Sequence, residues 1–260
     1  MIGIFGAHHR DSRAPVDLAA MIAAVPDRYV RDAPTGTGAA LGRVAHRLGC
    51  GGGRAGAAAG DREVVVTGEI FNLEDFANGE EPPSDAAELI LRLAEQGRLD
   101  RLADANGQFA AAVHDRRRHR LTLITDRYAT HPLHLWRRDG AAVFASQLYV
   151  LIADPRVPRA ADAEAVAQLF TLQRTVGEIT PFAAIRALPA AAIVEIDGDR
   201  IEQRCYWRLD WRAPDFSQRE AATALAAAMR NAVARQTRSG RIGLLLSGGL
   251  DSRMVLAAAA

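Results

Sequence analysis

Leu244-Leu245-Leu246-Ser247-Gly248-Gly249-Leu250-Asp251-Ser252 is the stretch whose reading decides how this chain folds. The three leucines read as a buried strand and the two glycines as a turn with hydroxyls on both flanks. Arg253-Met254-Val255-Leu256 reads as the start of a helix. A strand that passes through a glycine turn into a helix N-terminus makes an anion site, because backbone N–H groups converge there and the helix dipole favours negative charge. Gly248 and Gly249 leave room for a phosphate, Ser247 and Ser252 offer hydroxyl donors, and Asp251 offers a carboxylate to an accompanying magnesium ion. The Gly-Lys-Ser/Thr of the common P-loop is missing. The expected ligand is therefore a phosphate group, held by Ser247, Gly248, Gly249 and Ser252, with Mg2+ held beside it by Asp251.

Working outward, the bulk of the chain narrows the function class. Its 260 residues suffice for one large or two ordinary domains, and 49% hydrophobic residues supply ample core material. A net charge of +1 argues against a nucleic-acid footprint. All 32 basic residues are arginine, so no lysine is available as a catalytic cation or nucleophile. Two cysteines, Cys50 and Cys205, fit a reducing cytoplasm rather than a disulfide scaffold. No apolar run reaches membrane-spanning length, and the N-terminus has no charged leader before an apolar stretch.

The first 205 residues read as mostly β. Residues 1–6 form an opening strand, 15–25 have helical spacing, and 63–71 form a buried strand. Ser84 is the expected N-cap of a helix that Gly97 ends. Strands at 108–115 and 120–126 are joined by an Arg/His turn, and strands at 133–137 and 141–146 by an Asp139-Gly140 hairpin turn. A helix is expected over 162–176 and a further hairpin across Asp197-Gly198. Residues 206–216 read as a linker. Ser217-Gln218-Arg219-Glu220 is a capping box that opens a long helix, expected to pack on the sheet started by residues 244–246. A doubly wound sheet needs several more strand–helix units, so 217–260 reads as the start of a domain, and the chain as a fragment or a truncated product.

The order of these parts resembles the asparagine synthetase family and its relatives, the β-lactam synthetases and lasso-peptide cyclases. Residues 246–252 look like the SGGxDS pyrophosphate loop of the N-type ATP pyrophosphatases, which implies ATP bound by Leu246, Ser247, Gly248, Gly249, Leu250, Asp251 and Ser252, with Mg2+ held through it by Asp251. Gly3-Ile4-Phe5-Gly6 looks like the family's opening strand, and Thr67-Gly68-Glu69-Ile70-Phe71-Asn72 like its Asn-Gly-Glu-Ile-Tyr-Asn. Asn106-Gly107-Gln108-Phe109-Ala110, Asp126-Arg127-Tyr128 and Phe144-Ala145-Ser146 fit its later β motifs, and Leu188-Pro189-Ala190 with Tyr206-Trp207 its link into the ATP domain. The resemblance implies an α+β domain followed by an α/β one. The first is the αββα sandwich of the N-terminal-nucleophile (Ntn) hydrolases, and the second the first βα unit of an adenine-nucleotide α-hydrolase-like (PP-loop) domain. It also implies a glutamine pocket in which Arg47 grips the substrate carboxylate, Asp85 holds its ammonium group, and Thr67, Gly68 and Glu69 line the reacting end.

One residue breaks the pattern. The family's glutaminase uses an N-terminal cysteine, freed by removal of the initiator Met, whose thiolate attacks the amide with its own amine as base. Ile2 occupies that position and has no nucleophile. Thr67 stands where the family has an asparagine that helps bind the oxyanion, and a hydroxyl is a poor geometric substitute. Cys50 reads as a small buried hydrophobe. The resemblance therefore implies an ATP-dependent, AMP-forming amide ligase with an inactive glutaminase domain and a pocket that is vestigial or retains a ligand. Its substrate would be a small-molecule or peptide carboxylate, and its associations a homodimer or a partner ligase or peptidase. An asparagine synthase using glutamine or free ammonia, and a non-catalytic peptide- or partner-binding remnant, stay open beside it. The seven histidines show no zinc-ligand spacing and read as turn or core residues. Asp126-Arg127 reads as a structural ion pair.

Overall fold

The computed structural model describes residues 3–11, 13–26, 29–32, 36–37, 39–46, 56–77, 79–211, 216–238 and 242–259. Ile2, Arg47 and Cys50 lie outside these. The chain divides into two compact units, Met1–Arg208 and Leu209–Ala260.

Among the described residues of the first unit, fourteen strands build three sheets. In chain order they are β1 (Gly3–His9), β2 (Pro15–Val16), β3 (Tyr29–Asp32), β4 (Gly36–Thr37), β5 (Ala39–His46), β6 (Gly56–Ala59) and β7 (Arg62–Ile70). Then come β8 (Gly107–Asp115), β9 (Arg120–Thr125), β10 (His134–Arg138), β11 (Ala141–Ala145), β12 (Arg186–Ala187), β13 (Ala192–Asp197) and β14 (Arg200–Cys205). One six-stranded sheet runs β12-β10-β11-β1-β5-β3, the other β14-β13-β9-β8-β7-β6, and β2 pairs with β4. Every pairing is antiparallel, for example Phe5 opposite Ala145 and Val65 opposite Ala112. The helices are α1 (Ala19–Ala24), α2 (Ala86–Glu95), α3 (Leu148–Leu151) and α4 (Ala163–Leu172).

Strand alternation sorts the side chains into layers. On β1, Ile4 points into the space between the two large sheets, where it meets Leu41, Ala110, Leu123 and Phe144. Phe5 and Ala7 point the other way, under Met21 of α1 and Leu151 of α3. On the second sheet, Val64, Val66, Phe109 and Val113 face outward and are covered by Leu89, Ile90 and Leu93 of α2. Each sheet is thus apolar on both faces, and the result is an αββα sandwich.

The local chemistry follows the sequence in most places. Asp139 and Gly140 both take positive φ, 52° and 74°, the backbone a two-residue hairpin turn needs. Three boundaries differ. The N-cap of α2 is Asp85, whose carboxylate accepts from the Glu88 N–H at 2.9 Å, while Ser84 hydrogen-bonds the Glu88 side chain. The aspartate takes the cap because its carboxylate meets the positive end of the helix dipole. Residues 15–16 pair as β2 instead of joining α1, since Pro15 suits an edge strand. α4 stops at Gln173, in the left-handed conformation, four residues before Gly177.

The second unit holds α5 (Gln218–Gln236) and α6 (Leu250–Ala259), which pack on each other. The capping box forms as the sequence predicts: Glu220 N–H donates to Ser217 Oγ at 3.3 Å, and Ser217 N–H to the Glu220 carboxylate at 2.9 Å. The strand expected at residues 244–246 does not form among the described residues, and Leu245 is 95% exposed. A strand exists only through pairing, and no described segment pairs with this one. For the same reason α5 does not pack on a sheet and buries no residue.

Candidate functional site

β1 begins at Gly3, one residue after Ile2. A Cβ at Gly3 would lie 2.6 Å from Ser146 Cβ, so the start of β1 is pressed against the residue that follows β11. Two hydrogen bonds fix it there: Ile4 N–H donates to Ser146 Oγ at 3.0 Å, and Ser146 N–H to the Ile4 carbonyl at 2.8 Å. Ser146 is fully buried. The family motif Phe144-Ala145-Ser146 therefore has a mechanical role, anchoring the start of β1.

Across the sandwich, the Thr67-Gly68-Glu69 segment closes β7. Thr67 shares the inward parity of Val65, which packs on the inter-sheet core, and its hydroxyl is buried without a hydrogen-bond partner. Gly68 has φ +94°, and a Cβ there would sit 1.9 Å from the Gln108 carbonyl oxygen. Only glycine satisfies both constraints. Glu69 opposes Gln108 in register and is exposed at the sheet end. Asp85 is buried at the start of α2, where one carboxylate oxygen is committed to the helix cap.

Two neighbouring groups hold the loops around this end. The Asp126 carboxylate is buried and accepts from the N–H groups of Phe109, Tyr128 and Thr130 at 2.8–3.2 Å. Arg127 turns away from it, donating to the Ala103 carbonyl and lying over the Trp207 ring at 5.4 Å. The expected Asp126–Arg127 ion pair is thus replaced by a loop clasp and a cation–π contact, because the carboxylate is saturated by backbone donors. Tyr206 donates to the Thr125 carbonyl at 2.8 Å, and burial pushes its phenol well above the usual range.

In the second unit, Ser247 and Ser252 bracket the glycine turn. Their hydroxyl oxygens are 2.9 Å apart, Gly249 N–H donates to Ser247 Oγ, and Ser252 Oγ donates to the Ser247 carbonyl. Arg253 reaches the Gly248 carbonyl at 3.0 Å. Asp251 is exposed in the first turn of α6. Space around Gly248 is open, since a Cβ there would meet nothing within 4 Å.

A family model for the glutamine amidotransferase domain matches residues 1–207. This chain belongs to the asparagine synthetase family, through its glutamine amidotransferase domain. It is 32% identical over 210 residues to the carboxyethyl-arginine beta-lactam-synthase of Streptomyces clavuligerus, covering 75% of this chain and 37% of that protein. It is 28% identical over 207 residues to the glutamine-hydrolyzing asparagine synthetase 3 of Bacillus subtilis, covering 76% of this chain and 33% of that protein. The chain spans about a third of the length of these curated relatives. A solved structure of the allosteric regulatory enzyme of purine biosynthesis matches 99% of this chain and 63% of its own, with 11% identity and a TM-score of 0.51. At that identity the likeness is one of fold, the Ntn-type sandwich. Among the described residues no helix is long and apolar enough to cross a membrane.

For the amidotransferase domain of this family, the pocket residues expected from sequence fall into three groups. Thr67, Gly68 and Glu69 are brought together by β7. Asp85 sits on a different element and serves its helix. Ile2 and Arg47 lie outside the described residues. Sequence reasoning missed Ser146 and Asp126 as the residues that hold the site's frame. It also missed three histidines that the fold gathers at the opposite end: His8, His114 and His119. The signal was present in strand parity. His8 shares its face with Ile4, and His114 shares its face with Ala110 and Ala112.

Proposed function

We propose that this chain is the N-terminal portion of an ATP-dependent, AMP-forming amide ligase whose amidotransferase domain no longer hydrolyses glutamine. The observation that carries the loss is Ile2. A glutaminase of this class needs a thiolate at that position and a free amine beside it. The sec-butyl side chain of isoleucine supplies no nucleophile, and its bulk opposes removal of Met1. Without ammonia from glutamine, the amine that attacks the activated carboxylate comes from the substrate itself, or from free ammonia in the neighbouring asparagine-forming reading.

The residues of the second unit fit ATP and magnesium. A glycine turn with open space at Gly248 stands before a ten-residue helix, two serines flank it, and Asp251 is exposed. Bound ATP supplies the adenylyl group that turns a carboxylate into a competent acyl donor, with magnesium offsetting charge on the departing pyrophosphate. Ser247 and Ser252 would exchange their mutual hydrogen bond for phosphate oxygens, and Asp251 would hold the ion.

One observation favours a second reading of the pocket, in which it still holds a ligand without cleaving it: Thr67 Oγ1 is buried with no partner. Titration of the 260-residue chain with a fluorescent ATP analogue and Mg2+ tests the proposal. Saturable binding is expected, weakened at least tenfold, or about 1.4 kcal/mol, by Asp251→Ala. Absence of binding would contradict it. Release of AMP and pyrophosphate in the presence of a carboxylate would extend it to turnover by this chain.

A further inference from the structure

The three histidines missed in the sequence converge from three separate places in the fold. His8 is the last inward-facing position of β1, His114 the last inward-facing position of β8, and His119 sits at φ +52° on the turn into β9. They close the inter-sheet core. β1 runs from the Gly3 end to this end, so five strand residues, about 17 Å, separate His8 from Gly3. The site is therefore distinct from the Thr67–Glu69 pocket.

One ring nitrogen of each histidine lies within 4.8 Å of the others. The remaining nitrogens are mostly spoken for. His8 Nε2 is 3.1 Å from the His119 carbonyl oxygen, and His119 Nε2 is 2.5 Å from the His9 carbonyl oxygen. A carbonyl only accepts, so each of these nitrogens carries the proton and the Nδ1 of each ring keeps its lone pair. His114 Nδ1 lies 3.5 Å from the Glu63 carboxylate, longer than a hydrogen bond, and the nearby negative charge favours a proton on that nitrogen. Glu63 itself is pinned by Arg116 at 2.7 Å. Metal-binding histidines show this arrangement, with one nitrogen directed to a carbonyl or carboxylate and the other left to the ion.

The second observation is an unmet demand. His8 Nδ1 and His114 Nε2 are buried with no hydrogen-bond partner, in side chains that are 0% and 3% exposed. Buried polar groups are nearly always satisfied, and those that are not call for an explanation. His119 is only half-buried.

We propose that His8, His114 and His119 form a binding site for a divalent transition-metal ion of the zinc type. Three neutral imidazoles suit zinc, copper or nickel and not magnesium or calcium, which prefer oxygen. A point equidistant from three atoms 4.8 Å apart lies about 2.8 Å from each, and zinc–imidazole bonds are about 2.0–2.1 Å. Each ring therefore closes in by less than about 1 Å, within reach of small side-chain rotations. Glu63 orients His114, and water or a small anion would take the fourth position.

The test uses the full chain made without a polyhistidine tag, stripped with chelator and dialysed against zinc. One equivalent of zinc per chain is expected by metal analysis. Cobalt(II) is expected to give the intense visible bands of a four-coordinate ion. His119→Ala, a substitution on a turn, should lower zinc affinity at least tenfold, and Glu63→Gln by a smaller factor. His9, His46, His131 and His134 remain in every variant and report background binding. If the wild-type chain binds no more zinc than the His119→Ala chain, the proposal falls. Cobalt bands of the weak octahedral kind would overturn it as well. Should His8→Gln fail to fold, His119→Ala still decides the question.

Discussion

At Gly68 the backbone and the neighbouring strand impose the same demand, a positive φ and no side chain within reach of the Gln108 carbonyl. Gly68→Ala should therefore cost about 2–4 kcal/mol of stability, read from the urea midpoint, because it adds strain to a backbone clash. His8 makes a second prediction. Burial, reinforced by the neighbouring His119, lowers its pKa from 6.5 to about 4. A base with a depressed pKa in the folded state is protonated first in the unfolded state. The stability it permits is therefore complete above pH 6.5 and declines as the pH falls from 6.5 toward 4. The decline should reach up to about 3 kcal/mol in chelator-treated protein. His8→Gln should flatten that part of the pH profile, whatever it does to absolute stability. An unchanged slope would show that the histidine is solvated. Neither feature was readable from composition. A family motif singles out Gly68 but not its positive φ, and the burial of His8 follows only once β1 is known to be a central strand.

α2 shows how far element-level signals carried. A helix ending near Gly97 was legible from periodicity, but its start was placed one residue early because Ser84 and Asp85 are both good caps. The structure uses both, Asp85 for the Glu88 N–H and Ser84 for the Glu88 carboxylate. Asp85→Ala should cost about 1 kcal/mol, whereas Asp85→Asn, which keeps the cap acceptor, should stay within about 0.5 kcal/mol of wild type. A large loss in Asp85→Asn would mean that the charge, not the cap, fixes this residue. Hairpins were legible where turn chemistry is local, as at Asp139-Gly140. Residues 244–246 were not, because their three leucines describe what a parallel strand buries on both faces. That reading depends on neighbouring strands, and no described segment supplies one. The capping box at Ser217 needs no such partner and forms as written.

At the scale of the molecule, the sandwich was legible through the order of its motifs rather than through periodicity alone. Short strands rich in alanine, such as 109–113, carry little alternation of their own, yet they pack both faces of a sheet. At the candidate site, the sequence placed Thr67, Gly68 and Glu69 on one strand, the end of β7, while the histidine cluster was invisible because its members are up to 111 residues apart in sequence. The four-layer frame, the anchoring of β1 by Ser146 and the fixed Gly68 turn all keep the shape of a glutamine amidotransferase domain, while the sequence has Ile2 where the family's glutaminase has its cysteine. The proposed loss of glutaminase chemistry with retention of the fold is the central claim, and release of ammonia from glutamine tests it most directly. The purified 260-residue chain, incubated with glutamine, should yield no ammonia above a buffer control. Ammonia released in proportion to protein concentration would contradict it.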